Sequence, residues 1–270
     1  MAFVNHVAKS LAIKIVYYGA GLSGKTTNLR YIYGKLDRNA RGDLVCLETE
    51  TERTYFFDLL PVKAGLIKDY LVHFQLMTVP GQIFYEASRK NVLRGSDGVV
   101  FVADSQIPLL DANLESFDNL RRNLLALEMD INEIPVVFQY NKRDLDNLIP
   151  VETFNRLFNP GNRPYIEASA LKGTGVFETL KEIAKLTVPI VREKVFGPGF
   201  KPGEELTDEK KVSAAMGGAV KKETEGEAAR GPEEEAHLRR MKLRTLDEIE
   251  TELDKLSHEF LSRGKKTHHS

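Results

Sequence analysis

One stretch near the N-terminus limits the possible folds more than any other. The apolar run LAIKIVYY ends in GAGLSGKT, residues 19 to 26, which passes directly into the helical pattern TNLRYIYGKL. This is the GxxxxGK[ST] pattern in the strand, loop and helix context that it needs. Glycines let successive backbone N–H groups turn inward around phosphate oxygens, and the following helix offers its positive end to the same charge. Gly19, Gly21, Leu22, Ser23, Gly24, Lys25, Thr26 and Thr27 are therefore assigned to phosphate binding, with Lys25 reaching the β- and γ-phosphates. Thr26 gives its hydroxyl to Mg²⁺, whose preference for oxygen ligands suits a phosphate-bridged site. Such a loop specifies a nucleoside triphosphate but not its base.

Up to about residue 195, short apolar runs alternate with longer helical patterns, the signature of helices packed around a mostly parallel sheet. Strands are expected at 11 to 19, 42 to 49, 70 to 79, 98 to 104, 134 to 141 and 164 to 169, all rich in Val, Ile, Phe and Tyr. The unbroken runs GVVFVAD and IPVVFQYN suit strands covered on both faces. Helices are expected at 25 to 36, 83 to 94, 111 to 128, 151 to 158 and 175 to 194. TERTYFFDLLPVKAGLIKD shows no sustained helical period, so the strands on either side of it should pair as antiparallel neighbours. The expected fold class is α/β: a six-stranded, mostly parallel sheet with one antiparallel edge and helices on both faces.

Composition divides the chain into three parts: a nucleotide-binding domain over 1 to 195, a flexible linker over 196 to 231 and a charged, amphipathic helical tail over 232 to 270. The linker opens with GPGFKPGEELTDEKK and holds too little apolar surface to offset its ordering entropy. In the tail, Thr245 and Glu248 have capping-box spacing, and Leu246, Ile249, Leu253, Leu256 and Phe260 recur at intervals of three and four before Gly264. That stripe covers ~14 residues, or ~21 Å of helix. Packing against its own domain, a partner groove, self-association, and docking over the nucleotide switch as a tethered inhibitor all remain open for it.

Thirty-eight Lys and Arg against 39 Asp and Glu leave a formal charge of -1, so no global positive field exists to hold nucleic acid. The cluster Arg239, Arg240, Lys242 and Arg244 offers at most weak peripheral contact with anionic lipid. Cys46 is the single cysteine, which excludes an internal disulfide framework and a zinc site built from several thiolates. The N-terminal segment carries Lys9 and Lys14 within its apolar stretch and does not read as a secretory signal, and nowhere do eighteen apolar residues run together. A cytoplasmic protein with no transmembrane segment is expected.

Base identity is read at two strand ends. IPVVFQY is followed by Asn141, Lys142, Arg143 and Asp144, and the last strand ends in Ser169, Ala170 and Leu171. Both endings belong at the carboxyl edge of the sheet, where open α/β folds bind ligands. The Asp144 carboxylate can accept two hydrogen bonds from the N1–H and exocyclic amine of guanine, whereas adenine offers no such paired donors. The backbone N–H near Ala170 can donate to the guanine carbonyl, while Asn141 and Lys142 tether the loops around the base. The expected ligands are GTP and GDP.

With GAGLSGKTTNL, ETETERTYFFDLLP, TVPGQIFYEASRK, DGVVFVADSQ and QYNKRDL in this order, residues 1 to about 195 resemble the Ras-like small GTPases, and more closely their bacterial MglA group. TVPGQ stands where DxxG is more usual in the superfamily. The resemblance implies a GTP-hydrolysing switch that controls cell polarity or surface (gliding) motility at a cytoplasmic, polar location. It implies state-specific effectors and an MglB-like Roadblock dimer as activating regulator. It further implies that Gln82 orients the attacking water, that Arg53 acts in cis as a charge-stabilising finger, and that Thr54 closes on the metal over GTP, with Thr49 and Thr51 as runners-up. Gly81 is free to bring its N–H to a γ-phosphate oxygen, and Gly21 leaves room where Gln82 and Arg53 meet. Thr78 replaces an aspartate that holds a magnesium-bound water, and a neutral hydroxyl there should hold that water more weakly. Two other readings stay open. A scaffold that holds GTP with negligible hydrolysis is favoured by Thr78 and opposed by Gln82 and Arg53. A P-loop ATPase or kinase is opposed by Asp144.

Overall fold

The structure, a computed structural model, describes residues 2–46, 57–81 and 85–197. Arg53, Thr54, Gln82, the runners-up Thr49 and Thr51, and nearly all of the expected linker and tail lie outside them. Among the described residues the strands are β1 (Phe3–Asn5), β2 (Ser10–Tyr18), β3 (Val45–Cys46), β4 (Asp58–Ile67), β5 (Tyr70–Thr78), β6 (Gly98–Asp104), β7 (Val136–Asn141) and β8 (Tyr165–Glu167). The helices are α1 (Lys25–Lys35), α2 (Glu86–Leu93), α3 (Leu110–Ala126), α4 (Val151–Phe158) and α5 (Val176–Phe196).

All eight strands form one sheet in the order β3-β4-β5-β2-β6-β7-β8, with β1 added antiparallel to the start of β2. The architecture is the expected one, mostly parallel with an antiparallel edge, but the strand count of six needs correcting. The segment between the expected second and third strands contains β4, which forms a hairpin with β5 and also pairs with the two-residue β3, so those two strands are not the direct neighbours expected but each pair with β4. Pro61 and Gly65 obscure β4 in the sequence, because both residues are poor strand formers. The hairpin accommodates them by placing Pro61 near the sheet edge, where its carbonyl accepts from Gly42 N at 2.8 Å, and by a register irregularity between Lys63 and Gly65.

The central strands β6 and β7 are buried along their whole length, as unbroken apolar runs in a parallel sheet require. In β2, Ile13, Ile15 and Tyr17 face one core, with Leu29 and Ile32 of α1 and Leu180 and Ile183 of α5. Val16 and Tyr18 face the other, with Leu93 of α2, Leu120 and Leu124 of α3 and Phe154 of α4. This two-sided packing fixes the parallel strands so that β2, β5, β6, β7 and β8 all end at the same edge of the sheet. β4 runs the other way, so its first residue, Asp58, arrives at that edge too. Among the described residues no helix is long and apolar enough to cross a membrane.

Candidate nucleotide-binding site

The loop after β2 turns sharply into α1. Gly24, at the helix N-terminus, has φ 99°, a conformation that strains any residue with a side chain, and a Cβ there would overlap Asn141 Nδ2. Leu22 is 90% exposed, so the loop offers its backbone rather than this side chain to a ligand. Lys25 is buried, and its Nζ donates to the carbonyls of Gly19 (2.8 Å) and Ala20 (2.6 Å). Burial lowers its pKa to about 7, against the upward pull of the Asp58 carboxylate. An ammonium held this way out of water is stabilised by any phosphate that reaches it.

Asp58 is the functional candidate that sequence reasoning missed. Its Oδ2 accepts from Thr26 Oγ1 at 2.6 Å and from Thr78 Oγ1 at 2.9 Å, while its backbone N–H donates to Thr78 Oγ1 at 2.8 Å. The carboxylate is 8% exposed and therefore acts in a medium that screens it poorly. Thr78 does not stand alone at the end of β5, because the hairpin sets the Asp58 carboxylate beside it. A hydroxyl on the phosphate loop beside a buried carboxylate is the all-oxygen donor set that a magnesium site uses. These residues fit the ion.

Gly81 approaches the phosphate loop backbone to backbone: a Cβ there would come within 3.1 Å of the Ala20 carbonyl carbon and closer still to Gly21. No larger residue fits without displacing the loop. The reverse substitution is milder, since a Cβ on Gly21 meets Gly81 O at 3.5 Å, an ordinary contact. Crowding at Gly21 therefore begins with atoms beyond Cβ.

The segments expected to read the base are tied directly to this loop. Asn141 Nδ2 donates to Ser23 O at 2.7 Å, and Asn141 Oδ1 accepts from Ala170 N at 2.8 Å. Asn141 thus ties the loop after β2 to the turn after β8. The Ala170 amide, expected to donate to a guanine carbonyl, is engaged with Asn141 and can serve a base only by sharing or exchanging that bond. Lys142, at φ 65°, extends its Nζ to the buried Asp104 carboxylate at 2.6 Å, and Gln106 N also donates to Asp104 at 3.0 Å. Asp144 lies 3.9 Å from Lys172 Nζ, with its side chain 13% exposed. Ser169 N donates to Thr174 O at 2.9 Å, closing the turn that carries Ala170 and Leu171.

A Ras family profile matches residues 14–188 of the chain. The chain is also 54% identical over 188 residues to a protein called "Mutual gliding-motility protein MglA" from Myxococcus xanthus (strain DK1622), a match covering 70% of this chain and 96% of that relative.

Proposed function

The chain belongs to the Ras family and is a GTP-hydrolysing enzyme, and from that premise we propose that it is the timed switch of a gliding-motility or polarity system. The observation that carries the mechanism is the convergence of Lys25, Thr26, Asp58 and Thr78 at one edge of the sheet. The loop from Gly19 to Thr27 holds the phosphates through backbone N–H groups, and Lys25 exchanges its carbonyl partners for phosphate oxygens. Thr26 and the Asp58–Thr78 pair would hold Mg²⁺, which supplies charge neutralisation at the β- and γ-phosphates. Asp144 accepts from the guanine N1–H and amine, while Asn141, Lys142 and the Ser169–Leu171 turn keep that carboxylate in position.

In hydrolysis, Gln82 orients a water whose oxygen attacks the γ-phosphorus as the β–γ bridging bond breaks, leaving GDP and inorganic phosphate. Arg53 hydrogen-bonds the oxygens on which charge grows, an effect worth about 10³ to 10⁵ in rate for such a finger. Thr54 would add its hydroxyl to the ligands of Mg²⁺ in the GTP state. Gly81 N–H reports whether the γ-phosphate is present, and loss of that contact changes the surface that effectors read. A Roadblock-type dimer accelerates turnover by ordering the Arg53 segment without donating a catalytic group. The three-part organisation, with its linker and helical tail, belongs to the same proposal.

Single-turnover GTP hydrolysis with and without a Roadblock dimer tests this reading. Wild type should be stimulated, and Arg53→Ala should bind GTP with wild-type affinity but lose the stimulation. Gln82→Leu should stay locked with GTP. Stimulation that survives in Arg53→Ala removes the finger from the mechanism.

A further inference from the structure

Two residues below the base-reading Asn141, β7 carries another buried amide that the nucleotide contacts do not require. Gln139 and Asn28 are both fully buried and face each other as a reciprocal pair. Asn28 Nδ2 donates to Gln139 Oε1 at 2.8 Å, and Gln139 Nε2 donates back to Asn28 Oδ1 at 3.0 Å. The second hydrogen of each amide is also used: Asn28 Nδ2 donates to Gly24 O at 2.9 Å, and Gln139 Nε2 donates to Thr179 Oγ1 at 2.9 Å. Thr179, equally buried, in turn donates to Gly175 O at 2.6 Å. An unbroken chain of hydrogen bonds therefore runs from the last glycine of the phosphate loop, through the base-reading strand, to the first turn of α5. That turn directly follows the segment carrying Ser169, Ala170 and Leu171.

Two aliphatic side chains would fill this space without the desolvation cost of two amides, so the core alone does not call for the pair. What an aliphatic pair lacks is direction. Hydrogen bonds fix distance and angle between the elements they join, whereas apolar contacts tolerate sliding. Gln139 and Asn141 are separated by two along a strand and so share a face, from which each grips the phosphate loop: Asn141 at Ser23 O, Gln139 through Asn28 at Gly24 O.

We propose that Asn28 and Gln139 are positioning residues that couple the phosphate cradle to the guanine-reading loops, so that a correctly read base tightens the grip on the phosphates. The inference rests on the nucleotide reading given above. It predicts that guanine selectivity and nucleotide retention weaken together when the pair is made apolar.

The test is the double variant Asn28→Leu/Gln139→Val in the full chain. It strands no partner, because Gly24 O still accepts from Asn28 N at 3.0 Å and Thr179 keeps Gly175 O. Dissociation of a fluorescent GDP derivative and relative affinity for GDP and IDP, which lacks the amine that Asp144 reads, are measured beside the thermal midpoint. Val72→Ala, in the core at the opposite end of the sheet, serves as comparator, with dissociation scaled to its loss of thermal midpoint. The expected result is about tenfold faster GDP dissociation, equivalent to losing roughly one net hydrogen bond. The preference for GDP over IDP should shrink at least severalfold, and Val72→Ala should change neither. Faster dissociation with unchanged GDP-to-IDP preference overturns the proposal, as does an equal effect in the comparator at matched stability. Failure of wild type to bind GDP would instead refute the nucleotide reading itself.

Discussion

Asp58→Asn isolates the charge of the hairpin carboxylate from its shape. Both hydroxyl donors, Thr26 Oγ1 at 2.6 Å and Thr78 Oγ1 at 2.9 Å, bond to the same oxygen, Oδ2. An asparagine whose carbonyl oxygen takes that place keeps both bonds and the packing of β4 against β5. What disappears is one negative charge in a site only 8% exposed. Groups that orient or polarise a metal's ligands typically contribute a factor of about 10 to 100 in metal affinity, or about 1.4–2.7 kcal/mol. GDP dissociation measured across a magnesium titration reads this directly: the half-point should move up by that factor, while dissociation at saturating magnesium returns toward wild type. Thr78→Val is the necessary companion. It removes the neutral hydroxyl and leaves the carboxylate, so its half-point should shift much less. Equal shifts in the two variants would return the metal's water to Thr78, and an unmoved half-point in Asp58→Asn would refute the assignment of Asp58 altogether.

The same carboxylate has a second readout. Burial first, and then the charge and hydrogen bond of Asp58, push the Cys46 thiol up to about 12, so alkylation at pH 8 should run roughly three orders of magnitude slower than for a free thiol and accelerate in Asp58→Asn. Gly24→Ala places a side chain at φ 99° and against Asn141 Nδ2; strain of about 1–3 kcal/mol and loss of the 2.7 Å tether to Ser23 should weaken GDP binding at least tenfold by calorimetry. Lys14 is half-buried, and loss of water lowers its pKa to about 8 against the upward pull of Asp97. Between pH 8 and the ordinary lysine value the unfolded chain binds more protons than the folded one, so this group makes stability rise with pH across that window, with its full penalty below it. Lys14→Met should accordingly be more stable at pH 7, by about 1–2 kcal/mol after allowance for solvent screening, and its thermal midpoint should lose that part of the pH dependence.

Local chemistry accounts for what was readable in advance. The expected phosphate loop could be picked out because glycine, lysine and threonine fall within eight consecutive residues between an apolar run and a helical pattern, which the structure shows as β2 and α1. The central strands announced themselves as unbroken apolar runs, and the turns expected to read the base followed strands whose ends could be placed. β4 was hidden by Pro61 and Gly65, and β1 by its three-residue length. Asn28 and Gln139 were hidden for another reason. On a linear chain Asn28 is one of several polar residues in α1 and Gln139 sits two places before another amide in β7, and only their pairing across 111 positions makes them a unit.

Asp58 shows how such a residue can be found. Parallel strands deliver their carboxyl ends to the ligand edge, which is why motifs after β2, β5, β6, β7 and β8 converge there. An antiparallel strand in the same sheet must deliver its amino end instead. When the strand leading into the switch ends in a neutral residue such as Thr78, the missing charge is to be sought at the start of its antiparallel neighbour. The β4–β5 register, with Leu59 opposite Met77, sets Asp58 beside Thr78 and within reach of Thr26. A one-residue slip of that register would turn Asp58 to the opposite face of the sheet, away from Thr26. The hairpin's apolar alternation, with Leu60, Val62, Phe74 and Leu76 all buried in one core, therefore guards the proposed metal site as well as the fold.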